Sequence, residues 1–354
     1  MKKLKRAVFI LLAVSLAAVL TAACGAQSSA APSRGSESSS PDTSGGSGSS
    51  SSDTNTRSES ASSGTDHKAD DSSTDTGSKQ TTPSKPFVPA GIPEASGSVV
   101  EENDSAAIDY SNTVDGYVMV DYLANTQNRL KVQVAGPSTT YTYNIEVGEW
   151  TVFPLSDGNG NYKVTVYEGM GNDKYSTVLS TSFQVNLSSE FVPFLHANQY
   201  VDYSDAANTM AKTAELIGGT TDTLEKVGNI YDYVVKNVKY DTQKAANIQS
   251  GYLPVLDEVL ASGKGICFDY AALMAGMLRS CKIPCKLVVG YSGEAYHAWI
   301  SVWSEESGWL DDIIYFDGES WQRMDPTFAS SNNGSSAVMQ YIGDGDNYTP
   351  IYQY

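Results

Sequence analysis

Between Ala106 and Leu187 apolar residues recur at every second position, the period of a strand with one buried face. Tyr117-Val118-Met119-Val120 opens the series. Leu130, Val132 and Val134 follow with Lys131 and Gln133 between them, then Tyr141, Tyr143 and Ile145, then Tyr162, Val164 and Val166, then Phe183, Val185 and Leu187. Turns are expected at Gly136-Pro137, at Gly171-Asn172-Asp173 and at Asp157-Gly158-Asn159-Gly160-Asn161. The last copies only the first half of a calcium loop, so a hairpin is the expectation. Strands of this length and spacing predict a small antiparallel sandwich over residues 99–190.

Beyond Phe191-Val192-Pro193-Phe194-Leu195, which reads as a hinge, the apolar period lengthens to that of a helix. Two helices are expected first. Asp222 with Glu225 forms a capping box, and Leu224, Val227, Tyr231, Val234 and Val238 mark one apolar face. A short helix near Leu253–Leu260 leads to Gly263 and Gly265, and Ile266, Tyr270, Leu273, Met274, Met277 and Leu278 then recur at helical spacing. Ile283-Pro284 ends that helix. Lys286–Tyr291 is a short buried strand, and Ala295–Trp303 a second in which His297, Trp299 and Ser301 share a face. Trp309–Phe316 and Trp321–Thr327 continue the strands, the last stopping where Asp325 meets a proline.

Composition sets the N-terminal part of the 354 residues apart from these patterns. Lys2, Lys3, Lys5 and Arg6 precede an apolar run from Ala7 to Leu20 and a small-residue site ending at Cys24, the parts of a secretory signal over residues 1–23. The run is too short for a comfortable bilayer span. The position of Cys24 resembles a bacterial lipobox, which implies cleavage before it and a diacylglyceryl group on its sulfur; plain secretion is the rival reading. Residues 24–98 are dominated by Ser, Thr, Gly and Asp and lack the apolar surface to offset the entropy of ordering. They are expected to form a disordered linker, about 70 residues with an end-to-end distance on the order of 45 Å. The formal charge of −18 excludes a basic stripe for nucleic acid or a polybasic patch for anionic lipid.

The candidate chemistry lies in residues 191–354. Cys267 falls at a helix start, where unpaired N–H groups and the positive dipole end favour a thiolate. His297 projects from a strand and Asp325 ends another. A thiol, an imidazole to take its proton and a carboxylate to orient the ring are what nucleophilic catalysis by cysteine requires. Taken singly, each has a structural reading: a small buried thiol, a hydrogen-bonded strand histidine, an Asp-Pro turn. The sandwich, with neither cysteine nor histidine, reads as a spacer or binding module. Cys281 and Cys285 are left to pair with each other or stay free, and no spacing of His and Cys suggests zinc, so no metal or other cofactor is expected. His196, alone in a connector, reads as structural.

Gly265-Ile266-Cys267-Phe268-Asp269-Tyr270-Ala271, Ile283-Pro284 with Gly290-Tyr291, Tyr296-His297-Ala298-Trp299, and Trp321 with Asp325-Pro326-Thr327 together resemble the core of the transglutaminase-like superfamily. The resemblance covers roughly the last 130 residues and implies an α+β, papain-like fold with Cys267 as nucleophile, His297 as base and later acid, and Asp325 as orienting carboxylate. The Cys-Gly-Ser-Cys-Trp signature of papain itself is missing. Glu305–Asp317 is longer than the compact members have and is expected to form a hairpin over the cleft. Trp299 and Tyr291 are candidate substrate-binding residues. The whole then reads as a tether, an all-β immunoglobulin-like sandwich and a transglutaminase-like domain, anchored to the membrane by lipid on its extracytoplasmic face. The expected activity is transamidase, amidase or peptidase chemistry on cell-surface proteins or peptides. The alternative is a catalytically idle binding or scaffold lipoprotein.

Overall fold

The computed structural model describes residues 87–305, 308–310, 314–316, 321–323 and 348–354. The signal segment, Cys24, most of the linker, Asp325 and the acidic pairs Asp311-Asp312 and Asp344/Asp346 lie outside the described residues. Eight strands form the first half: β1 Val100–Glu102, β2 Ala106–Asp109, β3 Tyr117–Tyr122, β4 Leu130–Ala135, β5 Thr140–Ile145, β6 Thr151–Pro154, β7 Gly160–Gly169 and β8 Tyr175–Val185. They make two antiparallel sheets, β1-β2-β3-β6 and β5-β4-β7-β8. Period two decides the second sheet directly, because Leu130, Val132 and Val134 of β4 and Tyr141, Tyr143 and Ile145 of β5 are buried while the residues between them face outward.

Three features depart from the expectation. The short β1, β2 and β6 carry too few alternating residues to show in the pattern. Strand β3 is buried along both faces, since the connector covers its outer side; Tyr117 lies 5.0 Å from the His196 ring. Asp157–Asn161 is a crossover between the two sheets, not a hairpin, because β6 and β7 belong to different sheets. Its first residue pins the β4–β5 turn: the Asp157 carboxylate accepts from the N–H groups of Ser138 (2.5 Å) and Thr139 (2.9 Å) and from the Ser138 hydroxyl (2.6 Å).

The linker, expected to reach residue 98, ends sooner. From Phe87 the chain is strapped to the fold: Ala90 N–H donates to Ser280 O (3.0 Å), Ala197 N–H to Gly91 O (2.8 Å), and the Tyr203 hydroxyl to Ala90 O (2.9 Å). Gly91 is required there, since a Cβ would fall 2.0 Å from Leu195 O. Main-chain hydrogen bonding and the packing of Phe87 against the core order the segment.

The second half opens with α1 Ala207–Leu216 and α2 Thr223–Asn237. Asp222 caps α2 through the Glu225 N–H (2.8 Å), whereas Glu225 reaches back only by way of the Thr220 hydroxyl. Helix α1 has no side-chain cap of its own; Asp257 supplies one, accepting from the Thr209 N–H and hydroxyl at 2.7 Å each. Next come β9 Lys239–Tyr240, α3 Thr242–Asn247, α4 Leu256–Ser262, β10 Lys264–Gly265 and α5 Cys267–Ser280. Strands β11 Cys285–Ser292, β12 Ala295–Ser304, β13 Gly308–Leu310 and β16 Tyr348–Gln353 form an antiparallel sheet ordered β13-β12-β11-β16. Among the described residues, β14 Ile314–Phe316 and β15 Trp321–Arg323 pair with each other. Of the segment expected to lie over the cleft, Trp309 instead packs on Phe191 and Phe194, with ring centroids 5.8 and 5.5 Å away.

Helix α5 lies on β11 and β12 beneath α1, α2 and α4, and every residue of it except Phe268 is buried. Leu273, Met274, Met277 and Leu278 are wholly inaccessible, worth about 2 kcal/mol each. Near its C-terminal end Arg279, fully buried, donates to the main-chain oxygens of Cys285 (2.8 Å), His196 (2.8 Å) and Tyr354 (2.5 Å). It thereby ties the helix to the sheet, the connector and the β16 end. Sandwich and second half share one hydrophobic core. The seam is built of tyrosines, with Tyr141 tilted against Tyr352 and edge-on to Tyr354 (5.6 and 5.5 Å) and Tyr143 near Tyr200 (5.6 Å).

Two stability outcomes follow from these contacts. Arg279→Met removes a donor from three main-chain oxygens, of which Tyr354 O keeps the Leu287 N–H, and is expected to cost about 3 kcal/mol in urea unfolding. Burial holds the His196 imidazole below its ordinary 6.5. The unfolded chain therefore takes up the proton first, so this contribution is complete above about pH 6.5 and is lost as pH falls through the folded value. In a melting-temperature series against pH, His196→Gln is expected to flatten the acid side of the curve.

Candidate functional site

Helix α4 closes at Gly263, whose φ of +59° suits glycine, and the chain runs through β10, parallel to β9. Lys239 N–H donates to Gly263 O and Asp241 N–H to Gly265 O, each at 2.9 Å, so the approach to α5 is fixed on both sides. Ile266 is the N-cap in extended conformation and offers no acceptor of its own. The cap comes from inside the helix, where Asp269 in the first turn accepts from the Ile266 N–H at 2.8 Å. Cys267 is thereby set as the first helical residue, its N–H among those a helix start leaves unpaired.

Asp269 is wholly buried, and its charge is matched by Lys244 Nζ at 2.8 Å and by the Tyr252 hydroxyl at 2.5 Å. Lys244 also lies over the Tyr252 ring at 4.3 Å. Burial and the neighbouring Asp269 carboxylate push the Tyr252 phenol well up, so it acts as a donor. The glycine of the Gly-Ile-Cys series has a steric reason: a Cβ on Gly265 would lie 2.6 Å from the Asp269 Cβ.

His297 sits on β12 opposite Gly290 of β11 and is buried. Its ring forms a cluster with Trp299, 6.2 Å away and nearly parallel, and Tyr348 at 6.4 Å, these two being 5.2 Å from each other. Glycine at 290 leaves room for this arrangement, since a Cβ would fall 2.1 Å from Thr349 O and 2.9 Å from the Trp299 ring. Cys267 and His297 line the same cleft, about 320 Å³ in volume. Its aromatic lining is Tyr200, Tyr252, Phe268, Tyr296 and Tyr354, its far side is the loop 248–252, and Lys131, Thr142 and Asn144 reach into it from the sandwich.

The structure thus brings together two of the three residues expected to carry chemistry, while Asp325 lies outside the described residues. Trp299 is buried behind His297 and Tyr291 stands exposed against Tyr296, so neither lines the cleft. Phe268 and Tyr296, which do, are the chain neighbours of Cys267 and His297, a signal available in the sequence. Tyr200 and the three sandwich residues had none. Cys281 and Cys285 are free thiols; burial pushes Cys285 up to about 12 and Cys281 up as well. Among the three described cysteines, only Cys267 lines the cleft.

Residues 210–326 match the family model of the transglutaminase-like superfamily. Over 68 residues the chain is 34% identical to a protein-glutamine gamma-glutamyltransferase of Pseudomonas aeruginosa, a stretch that is 15% of this chain and 10% of that protein. The chain therefore spans about a tenth of that relative's length. Among solved structures, a proposed cysteine protease from Cytophaga hutchinsonii overlaps 60% of this chain and 71% of its own at 15% identity and a TM-score of 0.30. Red sea bream transglutaminase overlaps 64% of this chain and 53% of its own at 12% identity and a TM-score of 0.28. Overlaps this slight do not bear on the fold. The superfamily match spans helices α1 to α5 and strands β11 to β15, and with them Cys267 and His297: residues 210–326 are a domain of the transglutaminase-like superfamily.

Proposed function

We propose that this chain is an acyl-transfer enzyme that forms a thioester on Cys267 from a carboxamide or peptide carbonyl of a protein. The observation that carries this reading is the shared cleft: a cysteine at the first position of a buried helix and a histidine on the adjoining sheet line one opening. His297 takes the thiol proton as Sγ attacks the acyl carbon, and the oxyanion that forms meets the Cys267 N–H. The C–N bond then breaks, His297 returns the proton to the departing amine, and a thioester remains. An acceptor amine repeats these steps in reverse to give a new amide, whereas water gives the acid. Asp325 is assigned to orient the imidazole.

The relative's name, a protein-glutamine gamma-glutamyltransferase, favours a glutamine carboxamide as donor and an amine as acceptor. The setting proposed for the reaction is the extracytoplasmic membrane face, reached by a lipid on Cys24 and the linker that follows it; the signal-like residues 1–23 support this. The sandwich is assigned to the immunoglobulin-like kind, supported by its two facing sheets of order β1-β2-β3-β6 and β5-β4-β7-β8. The domain bounds 99–190 and 191–354 are proposed with it.

The test is to incubate the full-length protein with cell-surface proteins and follow, in parallel, incorporation of a fluorescent primary amine and release of peptide fragments. Amine incorporation is expected. Cys267→Ala should abolish it with the thermal unfolding curve unchanged, and His297→Gln and Asp325→Asn should lower kcat, the first by on the order of 10³-fold. Full incorporation by Cys267→Ala would reject the proposal, and fragment release without incorporation would move it to peptidase chemistry.

A further inference from the structure

The sandwich, which the sequence presents as a spacer, contributes one wall of the cleft that holds Cys267 and His297. We infer that this wall reads the substrate: the outward face of β4 and β5 recognises an acidic side chain beside the reacting carboxamide, with Lys131 as the charge partner and Thr142 and Asn144 as hydrogen-bonding neighbours. The inference rests on the acyl-transfer reading above and specifies its substrate.

Three observations carry it. The strand period turns Lys131, Thr142 and Asn144 out of the sandwich core onto one surface, and the register sets Lys131 directly opposite Asn144. The wall is held rigidly, since the tyrosine seam joins β5 to β16 and the loop 248–252 comes so close that a Cβ on Gly251 would lie 3.1 Å from Asn144 Nδ2. The electrostatics are one-sided. In a chain of net charge −18, the described residues lining the cleft include Lys131 and no Asp or Glu side chain. The nearest buried acid on the catalytic helix, Asp269, is already matched by Lys244. Lys131 Nζ rests 5.3 Å over the Tyr175 ring of β8, on the side of β4 away from Asn144, so its head meets a bound carboxylate by rotating on its flexible stem. A cation flanked by a hydroxyl and a carboxamide fits a carboxylate and repels a second cation.

The experiment compares alkylation of Cys267 in the full-length chain by iodoacetate, which is anionic, and iodoacetamide, which is neutral, at low salt with the labelled residue identified by peptide mapping. The iodoacetate-to-iodoacetamide rate ratio should fall about threefold in Lys131→Gln, further in Lys131→Glu, and hold in Lys131→Arg. Asn144→Asp, which adds a carboxylate to the cleft while keeping Lys131, should lower it too. In turnover, a glutamine peptide with a neighbouring Glu should outcompete the same peptide with a neighbouring Gln, and Lys131→Gln should erase that preference. Labelling with an unchanged ratio, or no peptide preference, overturns this inference and leaves the enzyme reading standing. Failure of Cys267 to react with either reagent overturns both.

Discussion

A helix buried along almost its whole length has no water to satisfy its polar side chains, and α5 is such a helix. Its charges are answered from within the protein. At the N-terminal end Asp269 accepts from the Ile266 N–H, Lys244 and Tyr252; toward the other end Arg279 donates to three main-chain oxygens drawn from three separate segments. An unpaired carboxylate or guanidinium at this depth would cost several kcal/mol, so the arrangement of the surrounding chain is constrained by two side chains. The connector, the sheet and the β16 end are held where Arg279 can reach them.

The same constraint prepares the site. Because the cap comes from a side chain inside the helix, the residue before it can be apolar, and the first helical residue is free to face the cleft. Cys267, the candidate nucleophile, sits at the end of a helix whose remaining length is immobilised by packing, and it belongs to the same core. His297 is treated similarly: its ring is placed by Trp299 and Tyr348, and the strand that carries it is central in its sheet. Trp299, a candidate for touching substrate, is buried beside the His297 ring.

Joining the sandwich to the second half through tyrosines gives both parts a single core, so what composition presents as an accessory domain is a structural part of the cleft. Tyrosine suits such a seam because its ring buries a large area and packs well edge-on or tilted against other rings. The loop 248–252 completes the opening and is coupled to α5 by the Tyr252–Asp269 hydrogen bond.

The sequence by itself determined whatever depends on local period and short-range chemistry. The strands β4, β5, β7 and β8, the apolar face and cap of α2, and the start of α5 at Cys267 were legible because alternation, helical spacing and paired glycines act within a few residues. The Gly265 to Ala271 series pointed to the superfamily for the same reason. Only the tertiary structure decided which surfaces meet. Residues 87–98 look like linker until Ser280 and Tyr203 take up their main-chain groups, Asp157–Asn161 looks like a hairpin until its flanking strands fall in different sheets, and Lys131 looks like an ordinary outward residue until the second half closes over its face. These outcomes rest on contacts between residues tens to more than a hundred positions apart, and no period in the chain records a partner at that distance.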